Sequence, residues 1–128
     1  MKYVGITGAS GFIGSNLVFF FKQINSKIIK VLEFDDNILQ KNKVENFISK
    51  CNLIVHLCGK NRAVEKKILE TNIVGTFNVI DACYLYKKGL ICAGSKYTKH
   101  DAYLVSKNVS EMLLDEYCRL GLQGLLIK

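Results

Sequence analysis

Thr7-Gly8-Ala9-Ser10-Gly11-Phe12-Ile13-Gly14 follows a short apolar segment, Tyr3 to Ile6, and opens a longer one, Phe12 to Ile24. This reads as a strand, a glycine turn and a helix N-terminus. Gly8 lets the chain leave the strand sharply, and Gly11 lets the backbone approach a ligand with no Cβ in the way. Gly14, one turn into the helix, lets helix and strand pack closely. The unpaired N–H groups at the helix start, with the helix dipole, make a site for a pyrophosphate. The spacing is G-x-x-G-x-x-G, not the G-x-G-x-x-G of the better-known motif, and glycines also make ordinary turns. The strand before and the helix after give the triplet its meaning. It points to a dinucleotide.

Working outward, helix one runs from Phe12 to about Asn25 and is apolar almost all round, which predicts burial on more than one side. A strand follows over Lys27 to Phe34, carrying Glu33 at its end, 19 residues after Gly14. A dinucleotide fold places an acid near there on the adenosine ribose. A solvated acid at a strand end fits the same residue equally well. Leu39 to Lys50 reads as a short amphipathic helix. Leu53 to Gly59 is a continuous apolar run of the kind buried on both faces of a parallel sheet. His56 within it is read as a hydrogen-bonded core residue. Val64 to Tyr86 is helical with an interruption or close-packing point at Gly75, and Lys87-Lys88-Gly89 closes it. Leu90 to Ala93 is a strand leading to Ser95. The last long helix starts at Asp101 or Tyr103, with Asp101 a candidate N-cap, and runs to Arg119. Gly121 ends it, and Gln123 to Lys128 forms a final strand.

The order β-α-β-α-β-α-β-α-β predicts an α/β, Rossmann-like doubly wound parallel sheet of about five strands, with helices on both faces. Its 128 residues make one domain, 1–128. The glycine turn, Gly59 and Ser95 should converge at the carboxyl ends of the strands, where such a sheet binds its ligand.

Composition excludes several classes. Hydrophobic content of 49% with 23% charged residues is ordinary for a globular domain. No apolar run approaches a membrane span of ~18 residues, and the first strand begins too early for a signal peptide. A soluble cytoplasmic protein with no membrane partner is expected. Net charge is +7, but the lysines are spread along the chain. They read as solvated helix faces, not a nucleic-acid surface. The five cysteines are odd in number and show no C-x-x-C, so they suggest neither a zinc site nor a disulfide framework. Cys58, Cys83 and Cys92 are expected as small core residues. No histidine or carboxylate stands at metal-ligand spacing beside His56, so no metal is expected.

Tyr103 and Lys107 form Y-x-x-x-K at the start of the last helix, a spacing that puts both on one face. A phenol with an ordinary pKa near ~10 needs a nearby cation to act as acid or base at neutral pH. Lys107 supplies the charge and can hold a ribose hydroxyl. Tyr84 and Lys88 show the same spacing, but only Tyr103 follows a strand ending in Ser95.

Together these segments resemble the extended short-chain dehydrogenase/reductase family, the NAD-dependent epimerase/dehydratase group acting on nucleotide sugars. Thr7 to Gly14 looks like its T-G-x-x-G-F-I-G, and Val31-Leu32-Glu33 like its second strand. His56-Leu57-Cys58-Gly59 is similar to H-L-A-G, Asn72 to Asn78 to N-x-x-G-T-x-N, and Tyr103 to Lys107 to Y-x-x-S-K. The matches follow the family's order across essentially the whole chain. The short link after strand two and Gly59-Lys60-Asn61-Arg62 look like the capsular-polysaccharide nucleotide-sugar reductases within that family.

The resemblance implies that Tyr103 donates or accepts the proton at the sugar carbon while Lys107 lowers its pKa and binds the nicotinamide ribose. Ser95 is the one candidate for the serine or threonine that polarises the same oxygen, reached by shifting the alignment about one residue. Gly8, Gly11, Phe12, Ile13, Gly14, Glu33, Leu57, Gly59 and Asn72 would join Lys107 in holding NAD, or NADP. A nucleotide sugar is the implied substrate, with a homo-oligomer open. Family members continue past a strand ending in arginine, where this chain has Lys128, into a substrate-binding lobe. The expectation is therefore a cofactor half that turns over no sugar nucleotide alone, or a non-catalytic dinucleotide-binding module.

Overall fold

The computed structural model describes residues 1–24 and 26–128, and shows five parallel strands in the order β2-β1-β3-β4-β5. β1 (Lys2–Thr7) lies between β2 (Ile29–Phe34) and β3 (Leu53–His56). β4 (Gly89–Ala93) and β5 (Gly124–Ile127) extend the sheet outward. In register, Val4 stands opposite Val31 on one side and Leu53 on the other, Val55 pairs with Ile91, and Ile91 with Leu125. The doubly wound α/β expectation holds, with strand ends moved by a residue or two. At β3 the ordered ladder stops at His56, and Leu57 to Gly59 continue as the loop that leaves the sheet.

Right-handed crossovers divide the helices. α1 (Phe12–Ile24) covers the face of Val4 and Ile6. α2 (Lys41–Ser49), α4 (Gly75–Leu85) and α5 (Ala102–Arg119) pack with Ile54, Leu90 and Cys92 on the other. The expectation that α1 is buried on more than one side is corrected. Only Gly14 and Val18 are buried, while Phe19 and Phe20 are 64% and 58% exposed. The reason is the layer count: among the described residues α1 packs on β1 and β2, and its outer side is turned away from them. Asn25, its expected last residue, lies outside the described residues.

The helical stretch after β3 is broken in two. α3 (Glu65–Leu69) passes through a π-helical turn, Glu70–Val74, into α4. The interruption therefore sits just before Gly75, whose own role is close packing: a Cβ there would lie 2.7 Å from Ile38. Inside the turn the Asn72 carbonyl accepts the Ser110 hydroxyl at 3.2 Å. At the far end of α4, Lys87 takes the left-handed turn, and Gly89 begins β4. Cys83 and Cys92 are core residues as expected, while Cys58 is only partly buried.

Candidate functional site

β1 ends in the glycine turn because Gly8 adopts φ +71°, a backbone that favours glycine. A Cβ at Gly8 would also lie 2.7 Å from the Cys58 nitrogen, so the turn presses on the chain leaving β3. Gly14 is more constrained still: its Cβ would stand 2.0 Å from the Gly8 carbonyl oxygen. At Gly11 a Cβ meets only that same oxygen, at 3.3 Å. The Gly11 N–H donates to Gly8 O at 3.1 Å, and the helix ladder begins with Ser15 N–H donating to Gly11 O at 2.9 Å. The N–H groups of Phe12, Ile13 and Gly14 therefore have no partner among the described residues. Three free donors at a helix N-terminus, beside an open glycine, form a cradle that fits a pyrophosphate.

His56 holds this turn against β3. The Thr7 hydroxyl oxygen accepts from the N–H groups of Leu57 and Cys58 at 3.1 and 3.3 Å, so its own proton goes to His56 Nδ1 at 2.6 Å. That assignment puts the ring proton on Nε2, which donates to Thr76 Oγ1 of α4 at 2.9 Å. Burial holds the His56 pKa down at about 3, and the Lys107 charge adds to the effect. His56 is a neutral brace between β1, β3 and α4. Sequence spacing showed the histidine but not its two threonines.

The cradle opens into a groove of about 460 Å³ at the carboxyl ends of the strands. Gly8, Gly11, Phe12, Ile13 and Gly14 form one wall, and Leu57 and Gly59 the floor. Tyr103 and Lys107 close it from α5, beside Ala93 and Gly94 at the end of β4. The Lys107 ammonium donates to the Ala93 carbonyl at 3.2 Å and lies 5.7 Å from the centre of the Tyr103 ring. Burial pulls its pKa below the ordinary lysine range, with the Cys92 and Cys58 thiols acting the other way. Tyr84 and Lys88, of identical spacing, lie at the opposite end of the sheet, where the Tyr84 ring meets Tyr117 edge-on.

Three expected residues stand elsewhere. Asn72, expected on the cofactor, is 2% exposed and its amide is used within the protein. It accepts from Lys60 N–H at 2.7 Å, and donates to the Lys60 carbonyl at 2.8 Å and to Ser106 Oγ at 3.0 Å. It fastens the loop after β3 to α5 from behind the groove. Glu33 lies at the end of β2, exposed, 3.8 Å from Lys22 Nζ of α1, beside a separate depression that also takes in Asp35 and Asp36. Ser95 is one residue past the lining Gly94, its hydroxyl accepting the Tyr97 N–H at 3.0 Å. Lys60 and Asn61 line the groove without having been singled out as site residues. Their signal was the polar Gly59-Lys60-Asn61-Arg62 directly after an apolar strand.

Among the described residues no group of histidines, cysteines and acids is placed to hold a metal, and no helix is long and apolar enough to cross a membrane. No curated protein matches the sequence significantly. Solved structures do match in fold. A monomeric L-threonine 3-dehydrogenase from a metagenome superimposes with TM-score 0.83 at 20% identity, over 98% of this chain and 52% of that one. The Bordetella bronchiseptica enzyme WbmH in complex with NAD+ gives 0.81 at 18%, over 99% and 55%. UDP-N-acetylglucosamine 4-epimerase from Bacillus cereus gives 0.78 at 20%, over 98% and 59%. The chain thus spans just over half the length of these proteins. Its sequence matches a family description over residues 4–126, from β1 through β5, so the glycine cradle and the Tyr103–Lys107 pair both fall inside the match. On that match, this chain belongs to the NAD dependent epimerase/dehydratase family.

Proposed function

We propose that this chain is the cofactor-binding half of an NAD(P)-dependent oxidoreductase, epimerase or dehydratase acting on a nucleotide sugar, with Tyr103 as its acid/base. One observation carries the reading: the pyrophosphate cradle and the Tyr103–Lys107 pair line a single groove. The B. bronchiseptica structure with NAD+ and the UDP-sugar epimerase support it by analogy of fold.

The free N–H groups of Phe12, Ile13 and Gly14 would hold the pyrophosphate, with Gly8 and Gly11 keeping the approach open. Glu33 would take the adenosine ribose hydroxyls, and Leu57 and Gly59 would lie beside the dinucleotide. When bound, the dinucleotide supplies a hydride acceptor and donor. The Tyr103 hydroxyl would give or take the proton of the reacting sugar oxygen. Lys107, held in place by the Ala93 carbonyl, would stabilise the phenolate electrostatically and reach the ribose. Ser95 has its oxygen lone pair engaged by Tyr97 N–H, which leaves its proton to donate to the same sugar oxygen.

A non-catalytic dinucleotide-binding module is the second reading, because the glycine cradle lines the groove whether or not Tyr103 transfers a proton. Both readings require dinucleotide binding. Calorimetric titration with NAD and NADP is the direct test, and Lys107→Met should weaken binding while Tyr103→Phe should not. Absorbance of the reduced cofactor with a panel of UDP-sugars and keto-sugars then separates them. Tyr103-dependent turnover selects the enzyme, and silence with binding intact selects a cofactor module or half-site. Absence of dinucleotide binding refutes both.

A further inference from the structure

Between β4 and α5 the chain makes an excursion, Gly94 to Asp101, whose placement neither the glycine cradle nor the Tyr-Lys pair explains. Tyr97 is its centre. The Tyr97 N–H donates to Ser95 Oγ at 3.0 Å. Its ring meets the Tyr103 ring edge-on, with centroids 5.7 Å apart and planes at 80°. Its hydroxyl donates to Asp101 Oδ2 at 3.0 Å. The other oxygen of that carboxylate, Oδ1, accepts the Leu104 N–H at 3.0 Å and caps α5 directly below Tyr103. One residue thus meets both candidate proton-handling groups, Ser95 through its backbone N–H and Tyr103 through its ring, and its hydroxyl anchors that backbone to the helix end that carries Tyr103.

We propose that Tyr97 is a positioning residue of this site, latched through Asp101 to the start of α5, and that the latch sets the placement of the Ser95 hydroxyl against the Tyr103 phenol. The inference rests on the reading of Ser95 and Tyr103 as the groups that act on the substrate oxygen. The chemistry explains why a latch is needed. Ser95 lies on an exposed loop, Tyr103 on a helix, and both must address one atom. Misplacement by about 1 Å costs up to roughly a hundredfold in rate. Tyr97 itself is 41% exposed and outside the groove lining, so removing its hydroxyl leaves the dinucleotide site untouched. The latch is self-consistent in charge. The Leu104 N–H is the main influence holding the Asp101 carboxyl below its usual range, which keeps it the acceptor, and Tyr97 stays above the ordinary phenol value, which keeps it the donor.

The test uses tyrosine- and serine-labelled protein and follows the Tyr103 ring and Ser95 amide resonances in Tyr97→Phe, Tyr97→Leu and Asp101→Asn. Tyr97→Phe keeps the ring and loses the tie, whereas Tyr97→Leu loses both. Asp101→Asn retains a capping oxygen and loses the charge. The expected result is displacement of both signals in Tyr97→Phe and Asp101→Asn, larger in Tyr97→Leu, with the unfolding midpoint of Tyr97→Phe moved by less than about 4 °C. NAD affinity should stay within twofold in Tyr97→Phe, by titration of the same samples. Unmoved Tyr103 and Ser95 signals in Tyr97→Leu overturn the proposal. So do shifts spread over the whole domain with a large loss of stability, because they show a general packing role. Failure of the unmodified chain to bind NAD strikes the cofactor reading and leaves the resonance test of the latch intact.

Discussion

Gly11 and Gly14 belong to one turn, yet the structure assigns them opposite consequences. In Gly14→Ala the new methyl lands 2.0 Å from the Gly8 carbonyl oxygen, with the Gly8 carbon at 2.8 Å and the Ala9 Cα at 2.9 Å. All three are backbone atoms, which cannot swing aside as a flexible side chain would. Overpacking commonly costs 1–3 kcal/mol, and a clash with backbone belongs at the top of that range, about 3 kcal/mol or more. At about 4 °C per kcal/mol for a domain of this size, the melting midpoint should fall by roughly 12 °C. In Gly11→Val the Cβ meets only Gly8 O at 3.3 Å, and the rest of the side chain enters open groove. Stability should change by less than about 1 kcal/mol. Dinucleotide binding should suffer instead, because the branched side chain occupies the place of the pyrophosphate. Loss of two charge-assisted hydrogen bonds at about 1.5–3 kcal/mol each is on the order of a hundredfold or more in affinity. Thermal unfolding and calorimetric titration with NAD on the same three proteins give the result. Undiminished NAD binding by Gly11→Val removes the cradle. Wild-type melting of Gly14→Ala removes the backbone contact that the tight turn depends on.

Glu33 should select NAD over NADP, because its charge repels a 2′-phosphate. Glu33→Ala should reduce a preference of roughly tenfold toward unity, a modest figure because the group is exposed and Lys22 lies beside it. Tighter NADP binding by the unmodified chain shows that Glu33 is not the selector. His56 should make folding pH-dependent. Its folded pKa of about 3 is depressed, so the unfolded chain binds the extra proton below the ordinary histidine value. Its contribution is complete above about pH 6.5 and shrinks as pH falls toward 3. The loss should reach about 2 kcal/mol by about pH 5, before the carboxylates titrate. Urea midpoints measured across that interval test it, and a flat profile shows that the imidazole accepts a proton in the folded state.

How much was legible depended on how local the cause was. A strand end, a glycine turn and a helix start occupy eight successive residues, Thr7 to Gly14, and their conformational needs are local. Gly8 with φ +71° is what the spacing called for. Asp101 as an N-cap and Tyr103 with Lys107 on one face are equally local matters of helix geometry. Asn72 shows the limit. Its place in N-x-x-G-T-x-N assigned it to the cofactor, but its partners Lys60 and Ser106 lie 12 and 34 residues away, and only their approach shows that the amide is already satisfied.

The sequence by itself determined the order of elements, the parallel doubly wound sheet, the tight glycine turn and the placing of Tyr103 and Lys107 on one helix face, because periodicity, glycine placement and capping act within a few residues. Only the tertiary structure decided which faces remain bare, which polar groups are consumed internally and which line the groove. α1 is apolar almost all round, yet among the described residues it packs on β1 and β2 and leaves Phe19 and Phe20 exposed. Thr7, His56 and Thr76 are separated by 49 and 20 residues and become one brace only when two crossovers bring β1, β3 and α4 together. Tyr97 carries no motif, and its role comes from lying against Tyr103. The physical reason is common to all three. A residue's conformation answers to its neighbours in the chain, but its hydrogen-bond partners and solvent exposure answer to whatever the fold places beside it.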